Sequence, residues 1–468
     1  MATDRKPRDA DASGWSPRPL AGGAARHDRH PPGLYVLAAT EMWERFSFYS
    51  MLAMFTLYLQ DRDQGFGWTV AQATRVYSLY LACVYFSPLA GGLLADRKLG
   101  YRRAVALGGV FFMAGHLLLA CRSPAVMTAA LACLVVGNGL FKPNVSAMVG
   151  RLYPPGSHLR DRAYNVFYMG INTGAFLAPL VAEVVKSRWG YHVAFAVAAL
   201  GMLISLAVLG AGRRLLAGAD GAAPEAAGGA SAGSTALDAV PERRRILGLL
   251  VIFVIVVVFW MAFSQNGATW TYWANDNTDW SSSRVVPAIL AVLTLGLVKG
   301  GSVSGIISNA IGPFFVLVLT FPLIGFWSLL DRRGREPRTP AKMAIGMLLV
   351  AASFLVMVAA ARAGGDSGRV SPWWLIAAYA TITLGELMLS PMGLSLVSKV
   401  APARLRGLLM GGWFTANAAG NYLVGTIGVE WTVWSHARFF LTVAAIAAAV
   451  ALLLFAVLKP LSRTMPGV

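Results

Sequence analysis

The chain has 468 residues, of which 56% are hydrophobic and only 13% are charged. Soluble domains average about 45–50% apolar and about 25% charged residues, so this composition excludes an ordinary soluble protein and predicts an all-α integral membrane protein. The formal net charge of +18 comes from basic residues in short gaps between apolar runs, which indicates membrane topology rather than nucleic-acid binding.

Twelve apolar runs, each about as long as a helix that spans a bilayer, divide the chain into two sets of six. The predicted spans are 34–60, 71–95, 103–121, 125–150, 163–186, 191–211, 246–274, 306–330, 341–362, 373–400, 407–428 and 437–458. We therefore predict four parts: a disordered cytosolic tail at 1–32, a six-helix bundle at 33–211, a flexible Gly-, Ala- and Ser-rich cytoplasmic linker at 212–245, and a second bundle at 246–460.

The first predicted helix concentrates charge inside an apolar run. Glu41, Glu44 and Arg45 share one helix face with Tyr49 at 3.6 residues per turn. An ionised group at bilayer depth costs at least about 2.5–3.5 kcal/mol, so such residues face protein or a water-filled cavity and usually mark function. Glu41 precedes Arg45 by four residues, the favourable order for an ion pair. The cluster is either a structural salt bridge or a charged wall of a transport cavity, and we favour the second.

These residues also carry a family resemblance. The pattern Glu-x-x-Glu-Arg-Phe-x-x-Tyr at 41–49 resembles the first helix of the proton-coupled oligopeptide transporters, a branch of the major facilitator superfamily. The resemblance implies the superfamily fold, with 12 transmembrane helices in two six-helix bundles. It also shows a departure, because Phe48 stands where the family pattern has the first of two tyrosines.

The second predicted helix ends in a segment that resembles the loop signature of the superfamily, Gly91 to Arg103. Its glycines allow two helices to approach closely. We interpret Asp96 and Arg97 as parts of a cytoplasmic gate, with Asp96 pairing with a nearby arginine and capping a neighbouring helix. Tyr85 matches a cavity tyrosine of the family, and simple packing at a helix interface is the alternative.

Predicted helices 4 and 5 add two polar candidates. Lys142 directly precedes Pro143 within a span, an arrangement that packing alone does not favour, so we expect it to meet an anionic group across the cavity. Asn172 lies in a second stretch that resembles the peptide-transporter signature. It is either a substrate contact or an amide bond between helices.

The second half departs from the family pattern at three places. Ser264 stands where the family typically has a glutamate that answers the lysine of helix 4, and Gly312 stands where an asparagine is common. An apolar insert near 284–304 has too few apolar residues to span a bilayer, so we predict an external interfacial or re-entrant segment.

Predicted helices 10 and 11 restore the resemblance. Glu386 is the only acid of its span and matches the family glutamate held to bind the amino terminus of the peptide. A purely structural glutamate is the alternative. Pro391 is a candidate gating hinge, and Trp413 belongs to a matching stretch of the next helix and is taken as a substrate contact.

The resemblance and the charges together predict a proton-driven carrier of di- and tripeptides that works by alternating access, and no enzyme. Glu41, Glu44, Arg45, Lys142 and Glu386 sum to a formal charge of −1, which a proton or a ligand cation should neutralise. Arg45 and Lys142 would bind the peptide carboxylate, Glu386 its ammonium group, and the first-helix carboxylates with Arg45 and Lys142 would couple transport to protons.

Two alternatives stay open at this point. One is a carrier of another small zwitterionic or anionic solute, such as an amino acid, a nitrate-like anion or a peptide mimetic. The other is a nutrient receptor that binds without translocating. We expect no metal, no cofactor other than the coupling proton and no nucleic-acid partner. Basic residues concentrate in the gaps after predicted helices 2, 4, 6, 8 and 10. They predict that both termini are cytoplasmic. We expect the protein to lie as a monomer in the lipid bilayer of the plasma (inner) membrane.

Overall fold

A computed structural model of the chain describes residues 29–154, 157, 159–220, 240–298 and 303–464. This part is almost wholly helical and contains no β-strand, only an isolated bridge between Thr278 and Val370. Its long helices are α1 Pro32–Gln60, α2 Val70–Leu99, α3 Tyr101–Leu119, α4 Pro124–Arg151, α5 Leu159–Trp189, α6 Tyr191–Ala211, α7 Glu242–Asp276, α8 Gly305–Arg332, α9 Thr339–Gly364, α10 Pro372–Val400, α11 Arg406–Gly428 and α12 His436–Thr464.

Each of the twelve predicted spans coincides with one of these helices, with ends that differ by a few residues. In the part of the chain that is described, 9 helices are both long and apolar enough to cross a bilayer. The prediction of an all-α membrane protein is confirmed.

The helices pack as two sets. In the first set α1 packs against α5 and α6, and α3 packs against α4 and α6; in the second, α9 packs against α10 and α12, and α7 against α11. The sets meet where α2 contacts α11 and where α5 contacts α8. The predicted boundaries of the four parts stay predictions, because residues 1–28 and 221–239 lie outside the described residues.

Two tight turns depend on glycine. Gly100 (φ 75°) joins α2 to α3, and Gly190 (φ 86°) joins α5 to α6. Only glycine adopts this left-handed region without steric cost, so both turns reverse the chain within one residue. A third glycine serves packing: a Cβ on Gly91 would lie 1.8 Å from the carbonyl oxygen of Gly139. The close approach predicted for the glycines of α2 is confirmed.

The apolar insert forms a short helix, Val285–Leu293, here called the insert helix. Nine residues extend about 13.5 Å, less than half of a bilayer core, so the segment does not cross. Its Val286 and Leu290 are buried against the protein, whereas Val285 and Val292 are 52% and 75% exposed. One face of the insert helix therefore packs on the bundle and the other presents apolar side chains outward.

The first part of the predicted linker is packed on the protein. Short 3₁₀ turns at Gly212–Arg214 and Ala217–Ala219 follow α6. Asp220 accepts a hydrogen bond from the Arg102 backbone N–H at 3.0 Å and pairs with the Arg102 guanidinium at 3.0 Å. Composition alone predicts a flexible segment here, but this ion pair fixes residues up to 220 against the start of α3.

Candidate functional site

A cavity of about 110 Å³ lies between the two sets of helices. Helices α1, α2 and α5 form one wall, and α7, α8, α10 and α11 form the other. The lining residues are Phe48, Tyr49, Leu52, Ala53, Tyr77, Leu81, Tyr85, Asn172, Ala175, Trp260, Phe263, Ser264, Asn266, Asn309, Gly312, Pro313, Val316, Tyr379, Glu386 and Asn421. The cavity thus combines an aromatic and apolar surface with amides and one carboxylate, as sites for small polar molecules do.

The charged cluster of α1 is buried beside this cavity. Arg45 Nη2 donates a hydrogen bond to Glu44 Oε1 at 2.7 Å, and Arg45 Nε pairs with the second oxygen of Glu44. The same Nε lies 3.3 Å from Glu41 Oε1, so the ion pair predicted from the four-residue spacing is confirmed. Glu41 Oε2 is buried and has no hydrogen-bond partner among the described residues. Glu44 therefore takes the larger share of Arg45, and Glu41 is left partly unsatisfied.

Lys142 approaches the cavity from α4. Its Nζ lies 5.0 Å from the ring centre of Tyr85, which in turn packs on Trp260 at 5.5 Å between centres. In the described part of the chain Lys142 forms no ion pair with Glu41 or Glu44. A cation over an aromatic face is attracted by the ring quadrupole. Tyr85 therefore stabilises the Lys142 ammonium group, as a carboxylate would do more strongly.

Four of the predicted substrate contacts line the cavity: Tyr49, Tyr85, Asn172 and Glu386. The Asn172 side-chain amide donates a hydrogen bond to the Tyr168 carbonyl at 2.9 Å. This bond lies within α5 and does not join two helices. Glu386 forms no ion pair among the described residues, which leaves its carboxylate free for a ligand.

The other three predicted contacts, Arg45, Lys142 and Trp413, lie outside that lining. The Arg45 guanidinium carbon lies 5.1 Å from the ring centre of Phe48, and Phe48 is a lining residue of the cavity. Trp413 is buried, and its ring occupies the space that Gly393 leaves open, because a Cβ there would lie 1.9 Å from Trp413 Cη2. The structure therefore places Trp413 at the packing contact of α11 with α10.

Three of the departures from the family pattern, all of them single residues, fall on the cavity wall. Phe48, Ser264 and Gly312 are lining residues. Three further amides line the wall of the second set: Asn266 in α7, Asn309 one turn before Gly312, and Asn421 in α11. The second half thus keeps amide groups at the cavity although the family's glutamate and asparagine positions are changed.

One end of the cavity is closed by contacts between the two sets. This end, called the far end, is where α1 finishes and α2 begins. Thr74 and Tyr272 share a hydrogen bond of 2.8 Å between α2 and α7. A Cβ on Gly267 would lie 1.9 Å from the Tyr77 hydroxyl, and one on Gly425 would lie 2.0 Å from Ser78 Oγ. The glycines let the two sets touch at the far end.

The predicted gate residues lie at the opposite, near end. Asp96 sits in a π-helical turn at the end of α2 and accepts a hydrogen bond from the Tyr101 hydroxyl at 2.5 Å. The Arg151 guanidinium stacks 4.2 Å from the ring centre of Tyr101. Asp96 thus joins an arginine through a tyrosine, whereas Arg97 is exposed. At Pro391 the backbone is helical, its side chain lies outside the described residues, and the hinge stays a prediction.

A second cavity of about 250 Å³ lies under the insert helix and is lined by apolar side chains such as Leu180, Ile307 and Phe314. It offers no charged group to a polar ligand. Sequence reasoning missed a different group, Glu183 of α5, which is fully buried at the far end. An acid within the predicted span 163–186 carries the same signal that singled out Glu386.

Comparisons with known proteins agree with this geometry. A family model described as POT family matches residues 102–219 and 303–455, more than half of the chain. The Uncharacterized transporter YclF of Bacillus subtilis (strain 168) is 32% identical, with 94% of this chain and 96% of that protein covered. The Peptide transporter YePEPT of Yersinia enterocolitica subsp. palearctica serotype O:3 (strain YE-P4) is 32% identical, with 85% and 88% covered. A crystal structure of a mutant of the peptide transporter POT in complex with alafosfalin superposes with a TM-score of 0.81, at 32% identity and with 94% of this chain and 96% of that chain covered.

Proposed function

This chain belongs to the POT family, and from that premise we propose that it is a secondary active transporter that carries di- and tripeptides by proton-driven alternating access. It has the major facilitator superfamily fold and is a transporter, not an enzyme. The observation that carries the proposal is the distribution of charge around the cavity. Arg45 and Lys142 stand behind the wall of the first set, and Glu386 lines the wall of the second.

A zwitterionic peptide fits such a pair of walls. The ends of a dipeptide are separated by about two Cα steps, on the order of 6–7 Å. Its carboxylate is bound from the side of Arg45 and Lys142, and its ammonium group is bound by Glu386. Tyr49 lies about one helical turn after Arg45 on α1 and lines the same cavity as Glu386, so a ligand that bridges the two walls passes its ring. A ligand held this way bridges the two sets and favours their closure.

The cavity is smaller than the roughly 300–1,000 Å³ of most small-molecule sites. Its walls must therefore move apart to admit a peptide. The far-end contacts between α2, α7 and α11 are the ones that separate when the cavity opens on that side.

Protons couple through the α1 cluster. Glu41 has one buried oxygen without a hydrogen-bond partner among the described residues, whereas Arg45 engages both oxygens of Glu44. Protonation turns an unsatisfied acceptor into a neutral group and so lowers the cost of burying it. No cofactor other than this proton takes part.

The integral membrane protein resides in the plasma (inner) membrane as a monomer surrounded by lipid, with both termini in the cytoplasm. The excess of basic residues in the gaps after alternate helices supports this orientation. The near end then faces the cytoplasm and the far end faces outside, where an acidic medium and the membrane potential drive protons inward.

A carrier of another small zwitterion is the second candidate. Ser264 and Gly312 both line the cavity, so the departures from the family pattern lie where the solute is bound. Amino acids and peptide mimetics therefore belong in the test as competitors.

Uptake into proteoliposomes under an imposed inward proton gradient tests the proposal. We expect labelled dipeptide to accumulate, unlabelled di- and tripeptides to compete, and a proton ionophore to abolish accumulation. Competition by amino acids alone would favour the second candidate. Binding without accumulation under any gradient would indicate a receptor and contradict transport.

A further inference from the structure

Glu183 joins the two sets of helices outside the transport cavity. It belongs to α5, six residues before that helix ends at Trp189, and it is fully buried. Its Oε1 accepts a hydrogen bond from the Ser304 backbone N–H at 3.0 Å, and its Oε2 accepts one from the Ser304 hydroxyl. Ser304 precedes α8, so one residue of the second set satisfies both oxygens of a carboxylate of the first.

The partner is suited to an anion. Ser304 is the N-cap of the helical segment that begins at Gly305, and the N-terminus of a helix carries partial positive charge. Lys186 is the cation nearest along α5, but its Nζ lies over the ring of Tyr191 at 5.4 Å. The two Ser304 donors are thus the hydrogen-bonding partners of the buried carboxylate, and Lys186 adds an attraction through space.

The contact lies beyond the cavity on the way to the far end. Ala175 of α5 and Val316 of α8 line the cavity, and the rings of Phe176 and Phe314 meet at 5.9 Å between centres next to them. Glu183 lies two helical turns further along α5 than Phe176. Separation of α5 from α8 at the far end therefore has to break both hydrogen bonds of Glu183.

We propose that Glu183 and Ser304 form a latch that keeps the far end of the transport path closed. Breaking this contact is a required step before solute reaches the cavity from the far end. The inference rests on the proposed alternating-access function, but the state of the latch is measured without any solute. Glu183 acts here as a positioning residue, because it touches neither the cavity nor its ligand.

Accessibility labelling of the full-length chain, in intact cells or in inverted membrane vesicles, tests the latch. Cys83, Cys121 and Cys133 are first replaced by serine, and Ala53→Cys then places a reporter on the cavity wall. A separate variant, Ser281→Cys, reports which side of the membrane the far end faces. A membrane-impermeant maleimide is applied from that side, in cells or in inverted vesicles.

We expect Glu183→Gln and Ser304→Ala each to raise the labelling rate of the reporter about tenfold or more, the change that losing one charge-assisted hydrogen bond produces. Ser304→Thr, which keeps both donors, should label like the unmodified latch. Asp63→Asn removes an exposed carboxylate at the same end and serves as the matched control, with no change expected.

Size-exclusion profiles show whether each variant is folded, and Ser304→Ala decides if Glu183→Gln is not. An unchanged labelling rate in folded Ser304→Ala, or a rate raised equally by Asp63→Asn, would overturn the latch. Absence of peptide uptake by the wild-type chain, with labelling rates that rise as expected in the latch variants, would instead count against the proposed function. The two failures are therefore distinguishable.

Discussion

Removing the charge of Glu386 should weaken the binding of the substrate ammonium group and leave the other contacts of the ligand unchanged. Glu386 lines the cavity and forms no ion pair among the described residues, so Glu386→Gln leaves no protein cation without its partner. We therefore expect thermal unfolding to change little. Because removing one partner of a buried, hydrogen-bonded charge pair costs about 2–5 kcal/mol, here by leaving the ligand ammonium without its carboxylate, dipeptide affinity should fall between about thirty-fold and a few thousand-fold.

The assay compares two ligands on two proteins. A free dipeptide and its N-acetyl derivative differ mainly in the ammonium group, and their dissociation constants are measured on purified wild type and Glu386→Gln. Wild type should prefer the free dipeptide, and the variant should lose that preference because the group that reads the ammonium charge is gone. Ser264→Ala, at another polar lining residue, is the control and should keep the preference. An equal loss for both ligands would show that Glu386 supports the fold of the cavity and does not bind the amino terminus.

The remaining predictions concern the buried charges and the changed wall. Arg45→Ala should lower the free energy of unfolding by about 3–5 kcal/mol, because it leaves two buried carboxylates without their cation. Thermal unfolding and expression yield measure this change. Arg97→Ala, at an exposed arginine, is the control and should stay near wild type. Glu41→Gln should abolish accumulation driven by a pH gradient yet allow counterflow exchange, and Glu44→Gln should do the same with a larger loss of stability. Full proton-driven accumulation in both variants would place the coupling site elsewhere. Ser264→Glu should offer Lys142 a carboxylate from the second set and shift the pH optimum of uptake, and an unshifted pH profile would mean that the two side chains do not meet.

Much of the architecture can be predicted from the sequence, because the bilayer requires each spanning helix to be long and apolar. A helix that crosses a bilayer needs about 20 predominantly apolar residues, so the lengths of the apolar runs locate the twelve long helices of the described residues. The ion pair of Glu41 with Arg45 is equally local, since four residues of spacing put both on one face. Predictions that depend on one helix were therefore the secure ones.

Contacts between distant helices were harder to predict. The family resemblance suggests Trp413 as a substrate contact. In the structure its ring fills the space that Gly393 leaves open. A glycine in the sequence of a membrane helix does not show which side chain packs against it. The position of Lys142 in the sequence predicts an anionic group opposite it across the cavity. In the structure Arg45 pairs with Glu44 and Glu41, and the Lys142 Nζ lies over the ring of Tyr85. The Glu183 contact needs the register of α5 against α8, which no spacing along the chain reveals.

The coupling that we propose for the α1 cluster also acquires a direction from the position of the buried charges. With both carboxylates of α1 ionised, Glu41, Glu44, Arg45 and Lys142 sum to zero, so the first wall has little net attraction for a substrate carboxylate. A proton on Glu41 leaves Arg45 paired with Glu44 and makes this wall positive through Lys142, whose Nζ lies over the neutral ring of Tyr85. Glu386 meanwhile keeps the second wall negative. A zwitterion then neutralises both walls at once, and the closed cavity holds no net charge, which is the state that costs least to bury. With Ser264 in place of an acid, no second carboxylate of α7 competes for Lys142, so protonation on the first set and binding of the ammonium on the second act on separate groups.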